Sequence, residues 1–207
     1  MRGDFKRGTS GRRKGQRFDS EHGVVTESLI FLGELDPDQI GDAMEDATHY
    51  EPTPLPDIRT LIDLVPPPYE ARTFVDAGAG MGRVLLIASR YPFKQVYGIE
   101  VSRALCEVAK ENIAAWRARE EPRCRDIRIR CDDALKAALP HGDAVFYLYN
   151  PFGERSLRAF AERLATRSGE TFVLYHTPVY RGVFDEDERF ERVGEATCGL
   201  AFRVRER

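Results

Sequence analysis

The stretch F-V-D-A-G-A-G-M-G-R at residues 74–83 decides how the rest of the chain is read. An apolar run that starts at Thr73 leads into three glycines at alternate positions, Gly78, Gly80 and Gly82. Glycine lacks a Cβ, so a strand that ends this way can turn sharply and bring its backbone close to a ligand at the carboxyl edge of a sheet. Sites that hold a dinucleotide space their glycines G-x-G-x-x-G, because the pyrophosphate sits on the N-terminus of the following helix. Here the third glycine comes one residue early, and the position that spacing reserves for glycine is Arg83. Asp76, two residues ahead of Gly78, adds a carboxylate that repels pyrophosphate and attracts cations.

A ligand with an ammonium and a sulfonium suits that carboxylate, and S-adenosylmethionine carries both. The turn of Asp76, Ala77, Gly78, Ala79, Gly80, Gly82 and Arg83 is therefore expected to cradle it. Outward from the turn the apolar pattern predicts strand Thr73–Ala77, a helix over 81–91, strand Gln95–Glu100 and a helix over 102–119. Strands Ile127–Cys131 and Ala144–Leu148, a helix over 154–166 and a strand over 171–175 follow. Such alternation predicts an α/β fold, a Rossmann-like parallel sheet with helices on both faces. Two closing strands, 189–195 and 197–205, are joined too tightly for a crossover, so they predict a C-terminal antiparallel hairpin.

The carboxyl ends of the strands carry the other candidates. Glu100 ends the second strand, where an acid can accept hydrogen bonds from both ribose hydroxyls, with Val101 beside it. After the third strand either Asp132 or Asp133 can face the adenine amino group while Ala134 offers a backbone N–H; alternatively the two aspartates start a turn. The fourth strand runs into Y-L-Y-N-P-F-G at residues 147–153. Asn150 and the Pro151 turn are expected to hold an amine through carbonyl oxygens, with Asn150 also bordering the donor and Phe152 forming an apolar wall. The alternative is an ordinary Asn-Pro turn at a strand end. Transfer to an uncharged nitrogen aligned opposite the sulfur leaves orientation and desolvation to supply much of the acceleration.

Upstream the pattern is less regular. With 42% hydrophobic and 31% charged residues, 207 residues can bury one good-sized core. Residues 1–17 hold seven Lys or Arg against Asp4 and four glycines, and read as a disordered basic tail. Such a tail is either an arm for nucleic acid or acidic protein surfaces, or a solubilising extension. Residues 18–70 read as an N-terminal extension, ambiguous over 18–52, with a bracing helix over 54–65 stopped by Pro66, Pro67 and Pro68. Residues 71–207 form the cofactor-binding domain.

Cys106, Cys124, Cys131 and Cys198 contain no C-x-x-C, and His22, His49, His141 and His176 have no ligand spacing, so neither a metal nor a disulfide framework is expected. Only His49, beside Tyr50, reads as a candidate proton acceptor. Tyr50, Tyr147, Tyr149 and Tyr175 read as core packing or as the wall of a cation pocket. No stretch approaches the roughly 18 apolar residues of a membrane span, and the first residues lack the apolar core of a secretory signal. A cytoplasmic protein with no membrane partner is expected.

On these residues the chain over 52–205 resembles the class I S-adenosylmethionine-dependent methyltransferases. D-A-G-A-G-M-G looks like their first motif, G-I-E-V-S at 98–102 like their ribose-binding acidic motif, Asp133-Ala134 like the adenine motif and N-P-F like the fourth. The resemblance implies a seven-stranded sheet whose last strand is antiparallel. Members that methylate amino groups often carry N-P-P-Y or N-P-P-F, whereas Asn150 is followed by a single proline. E-P-T-P at 51–54, and the glycine turn with Ala79 in place of a serine, are similar to seven-strand protein lysine methyltransferases. That likeness implies Thr53 near the methionine part of the cofactor, and a nitrogen acceptor on a protein (lysine-like) or on a small molecule. The alternatives are an RNA methyltransferase that uses the basic tail, and a non-catalytic module that binds the cofactor. Asp76 and Arg83 contradict a nicotinamide-dependent dehydrogenase.

Overall fold

The computed structural model of the chain describes residues 9–27, 30–31 and 49–205. In chain order its first elements are α1 (Thr9–His22), β1 (Ile30–Phe31), β2 (His49–Tyr50), α2 (Leu55–Ile62), β3 (Thr73–Ala77) and α3 (Arg83–Ala88). Next come β4 (Gln95–Glu100), α4 (Arg103–Arg119), β5 (Ile127–Cys131), β6 (Ala144–Leu148) and α5 (Glu154–Ala165). The chain closes with β7 (Thr171–His176), α6 (Gly182–Asp185), β8 (Phe190–Ala196) and β9 (Gly199–Val204).

A sheet covered on both faces needs apolar residues at successive positions, and β3, β6 and β7 are buried throughout. They form the middle of a seven-stranded sheet ordered β5-β4-β3-β6-β7-β9-β8. The first five of these strands run parallel, and β9 pairs antiparallel with both β7 and β8, so the predicted sheet and hairpin are present. Alternation along each strand divides the core in two. Phe74, Val145, Tyr147 and Leu174 pack under Ile58, Leu61 and Leu85, from α2 and α3. Val75, Phe146, Leu148 and Val173 meet Leu157, Phe160 and Leu164 of α5. Strand order reverses between β4 and β6 on either side of β3, the place at the carboxyl edge where folds of this kind bind ligands.

Helix boundaries differ from the sequence expectation where local geometry intervenes. The helix expected over 81–91 spans only Arg83–Ala88, because Gly82 caps it in the left-handed conformation and residues 89–91 close as tight turns. α6, four residues long, carries too little periodicity to have been read. Ser102 caps α4 as anticipated, its hydroxyl accepting from the Leu105 N–H.

The N-terminal segment departs most from expectation. Residues 9–17, expected to be disordered, open helix α1, while residues 1–8 lie outside the described residues. The helix is anchored at its far end: Phe18 is buried against Trp116, and His22 Nδ1 lies 2.6 Å from Glu120 Oε1. In the ambiguous region Ile30 and Phe31 pair antiparallel with Tyr50 and His49. The acidic run over 36–46 and the side chains of His49 and Tyr50 lie outside the described residues. Among the described residues no helix is long and apolar enough to cross a membrane.

Candidate active site

Register brings the two acids together. Asp76 pairs with Gly98 of β4, and Glu100, two residues further along β4, projects to the same side of the sheet. Gly98 leaves no side chain between them. Both carboxyls are buried, Asp76 at 3% and Glu100 at 6% exposure. Glu100 is held in place: Oε2 accepts from Gly80 N at 2.8 Å and Oε1 from Ser102 N at 2.9 Å. Burial nevertheless pushes its carboxyl above the usual range, with those backbone N–H groups pulling the other way. Asp76 is pushed well above the usual range, first by burial and then by the charge of Glu100. No hydrogen-bond donor from the described residues relieves Asp76. A buried carboxyl without a donor, facing a second acid, is what a ligand bringing its own ammonium would satisfy. The residues present fit S-adenosylmethionine on that ground.

The glycine turn lies against the rim of the fourth strand. Gly78, Gly80 and Gly82 take φ of 83°, 53° and 83°, the left-handed region that favours glycine. At Gly78 an added Cβ would stand 2.8 Å from Pro151 Cβ, so the first glycine and the N-P-F turn are in contact. Gly78→Ala is expected to destabilise the fold by about 2–3 kcal/mol, combining left-handed backbone strain with overpacking against Pro151. Chemical denaturation would measure it, and a loss below the uncertainty of the method would show that the turn can relax.

Thr53, implied only by resemblance, is buried beside the Tyr147 hydroxyl, and Tyr147 pairs with Asp76 across the sheet. Ala77 and Ala79 are buried in the turn, and the Val101 N–H is among those that reach Glu100. Asp132 and Asp133 are half-buried in the turn after β5. Asp132 Oδ1 accepts from Asp133 N and Asp133 Oδ1 from Leu135 N, while Arg130 and Lys136 flank their second oxygens. Ala134 is buried, with its carbonyl held by Arg163.

Arg83 is not placed for a cofactor. It is 2% exposed and turned away from the turn toward the N-terminal segment: Nε donates to Thr26 Oγ1 at 2.7 Å, and Nη2 lies 2.6 Å from Glu27 Oε2. The Glu27 contact is an ion pair without hydrogen-bond alignment. Asn150 also differs from expectation. Its Oδ1 accepts from the Tyr175 hydroxyl at 2.8 Å and from Val179 N at 3.3 Å, and its Nδ2 donates to Thr177 O at 2.9 Å. The side-chain oxygen expected to hold an amine is thus already bonded twice, and Asn150, itself at φ 44°, ties the β6 and β7 loops together. Phe152 packs against Phe160 of α5 at 5.2 Å between ring centroids, half-buried.

His176 and Asp57 at this rim escaped the sequence reading, and they join Tyr149, which was read as core packing or as the wall of a cation pocket. Tyr149 donates to Glu51 Oε2 at 3.0 Å and stands edge-on to His176 at 4.3 Å. His176 Nε2 in turn lies 3.1 Å from Asp57 Oδ2. Its position at the carboxyl end of β7 is the signal that could have singled it out.

No protein-family description and no curated protein sequence matches this chain. Solved structures do. The methyltransferase yhhF from Escherichia coli aligns over 73% of this chain and 87% of its own, at 18% identity and a TM-score of 0.59. The 23S rRNA methyltransferase ErmE aligns over 73% and 67%, at 15% identity and 0.51. An RNA methyltransferase from Salinibacter ruber, solved with S-adenosyl-L-homocysteine, aligns over 74% and 92%, at 16% identity and 0.50. Together with the strand order and the antiparallel hairpin, they show the class I S-adenosylmethionine-dependent methyltransferase fold.

Proposed function

We propose that this chain is an S-adenosylmethionine-dependent methyltransferase acting on an amine nitrogen, on a lysine-like protein side chain or on a small molecule. The observation that carries the reading is the buried carboxyl of Asp76, without a donor among the described residues, beside Glu100 at the glycine turn. When bound, S-adenosylmethionine supplies an electrophilic methyl group on a sulfonium. Asp76 would hold the ammonium end, Glu100 the ribose hydroxyls, Asp133 or Asp132 with Ala134 the adenine, and Thr53 would border the methionine part. Asn150 shapes the acceptor rim by locking the β6 and β7 loops, and Pro151 seats that rim on Gly78. Glu51 and Asp57 line the same edge through Tyr149 and His176, an acidic and aromatic setting that favours a cationic amine over a polyanion.

The same argument weighs against RNA. Lys14 and Arg17 are exposed on α1, but that helix is pinned at Trp116 and Glu120, about 20 Å along α4 from its capped start beside Glu100. The test is incubation with tritium-labelled S-adenosylmethionine and fractionated cell extract. Label in protein or small amines, with S-adenosyl-L-homocysteine as co-product, is expected. Label in RNA would replace the acceptor class, and cofactor binding by calorimetry without any transfer would mean a non-catalytic module.

A further inference from the structure

β7 ends in a polar chain that cofactor binding does not use. Asp57 Oδ2 faces His176 Nε2 at 3.1 Å, and His176 Nδ1 faces Thr177 Oγ1 at 3.1 Å. A carboxylate only accepts, so the ring proton sits on Nε2, and the bare Nδ1 accepts the hydroxyl proton of Thr177. His176 is 3% exposed, whereas Thr177 is exposed. A buried imidazole, oriented by a carboxylate, therefore backs the hydroxyl of an exposed residue, the geometry in which a hydroxyl gives up its proton.

Its location is as specific as its bonding. Thr177 and Asn150 both sit at φ 44°, a backbone region that non-glycine residues occupy only when their surroundings hold them there. They are joined by the Asn150 Nδ2 bond to Thr177 O, and Asn150 precedes the Pro151 that touches Gly78. Thr177 is thus tied through its backbone carbonyl, by one hydrogen bond, to the turn that touches the first glycine. Around His176 the described residues that face it include Asp57 from α2, Tyr149 after β6 with Glu51 on its hydroxyl, and Cys198 of the β8–β9 turn, whose thiol reaches the Asp57 carbonyl. Asp57 gives an imidazolium formed there an opposite charge to face.

We propose that Thr177, His176 and Asp57 form a proton relay that deprotonates an alkylammonium acceptor before methyl transfer, an inference that rests on the amine reading above. Thr177 is the catalytic residue, and His176 and Asp57 are positioning residues behind it. The acceptor N–H donates to Oγ1, which takes that proton as its own passes to Nδ1. The products are a neutral amine, a restored hydroxyl and an imidazolium facing Asp57. The amine lone pair then forms the N–C bond while the C–S bond breaks and its electron pair stays on sulfur. His176 returns the proton to water through the Thr177 hydroxyl.

The relay predicts a dependence on the acceptor's charge that a merely structural role does not. With labelled S-adenosylmethionine near neutral pH, the probes are poly-L-lysine, whose amines are protonated, and aniline, which is neutral. In Thr177→Val the poly-lysine to aniline rate ratio is expected to fall about 100-fold, and in Thr177→Ser to return to that of the wild type. Equal losses on both amines overturn the relay and leave the amine reading intact. A wild-type chain that labels neither amine overturns the amine reading and the relay with it. Independently of turnover, long-range 15N NMR of the full chain should find the His176 proton on Nε2. A proton on Nδ1 instead overturns the relay whatever the acceptor.

Discussion

Replacing Arg83 with methionine is expected to lower the melting temperature by roughly 10 °C. The guanidinium is buried among Thr26, Glu27 and Asp19, with the Asp19 Oδ1 contact at 3.7 Å. Asp19 in turn accepts from Thr26 N, Thr26 Oγ1 and Glu27 N, so one cation holds the residues after α1 against the start of α3. Removing it takes away the guanidinium that faces the Glu27 carboxylate, whose side chain is 6% exposed. Breaking a buried pair from one side costs about 3–5 kcal/mol, and each kcal/mol moves the midpoint of a domain this size by about 2–4 °C. Met for Arg together with Leu for Glu27 should recover most of the loss, because a buried pair replaced by apolar groups is close to neutral. The released segment should also become a site of limited proteolysis. Asn112 bonds both Val25 and the carbonyl of Met81, so loosening this segment loosens the glycine turn and weakens cofactor binding. A midpoint within 2 °C or so of the wild type would mean that the pair contributes little.

Asp76→Asn should separate the stability of the ligand-free chain from its affinity for cofactor, raising one and lowering the other. Burial and the charge of Glu100 put the Asp76 carboxyl well above its ordinary value. A carboxyl raised on folding contributes stability that is fully present below its unfolded pKa, about 4, and lost as pH rises through the folded value. The ligand-free wild type should therefore lose stability as pH rises through that folded value, and the Asn variant should escape the loss. A cationic ligand reverses the balance, since it favours the ionised carboxylate and drives proton release on binding. Calorimetry in two buffers of different ionisation enthalpy should find protons released by the wild type and fewer by the variant. Affinity for S-adenosylmethionine should fall about 100-fold, the effect of losing a charge-assisted bond worth about 1.5–3 kcal/mol. An unchanged affinity would place the ammonium elsewhere.

The seven-stranded sheet was legible because its strands are short, apolar in the buried middle and alternating at the edges in β5 and β8, all of them signals within a few residues. Asp76, the three glycines and Glu100 were legible for the same reason: each lies at a strand end, and strand ends share one edge. Thr53 enters the proposed site through resemblance alone. Asn150 is legible as a residue at the end of a strand, but its bonds to Tyr175, Val179 and Thr177 come from another strand's loop. Asn112 could have been noticed as a polar residue interrupting the apolar stripe of α4, though nothing local says that it holds Val25. The basic tail was misread over 9–17 because composition describes that stretch by itself, whereas its helix is anchored by Phe18 and His22 on a helix about a hundred residues away.

Local chemistry along the chain determined the layered fold, the glycine turn and the placing of two acids at strand ends on one edge of the sheet. Only tertiary structure decided what Arg83 and His176 do. Arg83 found Thr26 across 57 positions, and His176 found Asp57 across 119. A buried charge or imidazole takes its role from the group that compensates it, and that group is chosen by how helices and strands pack, not by spacing along the chain.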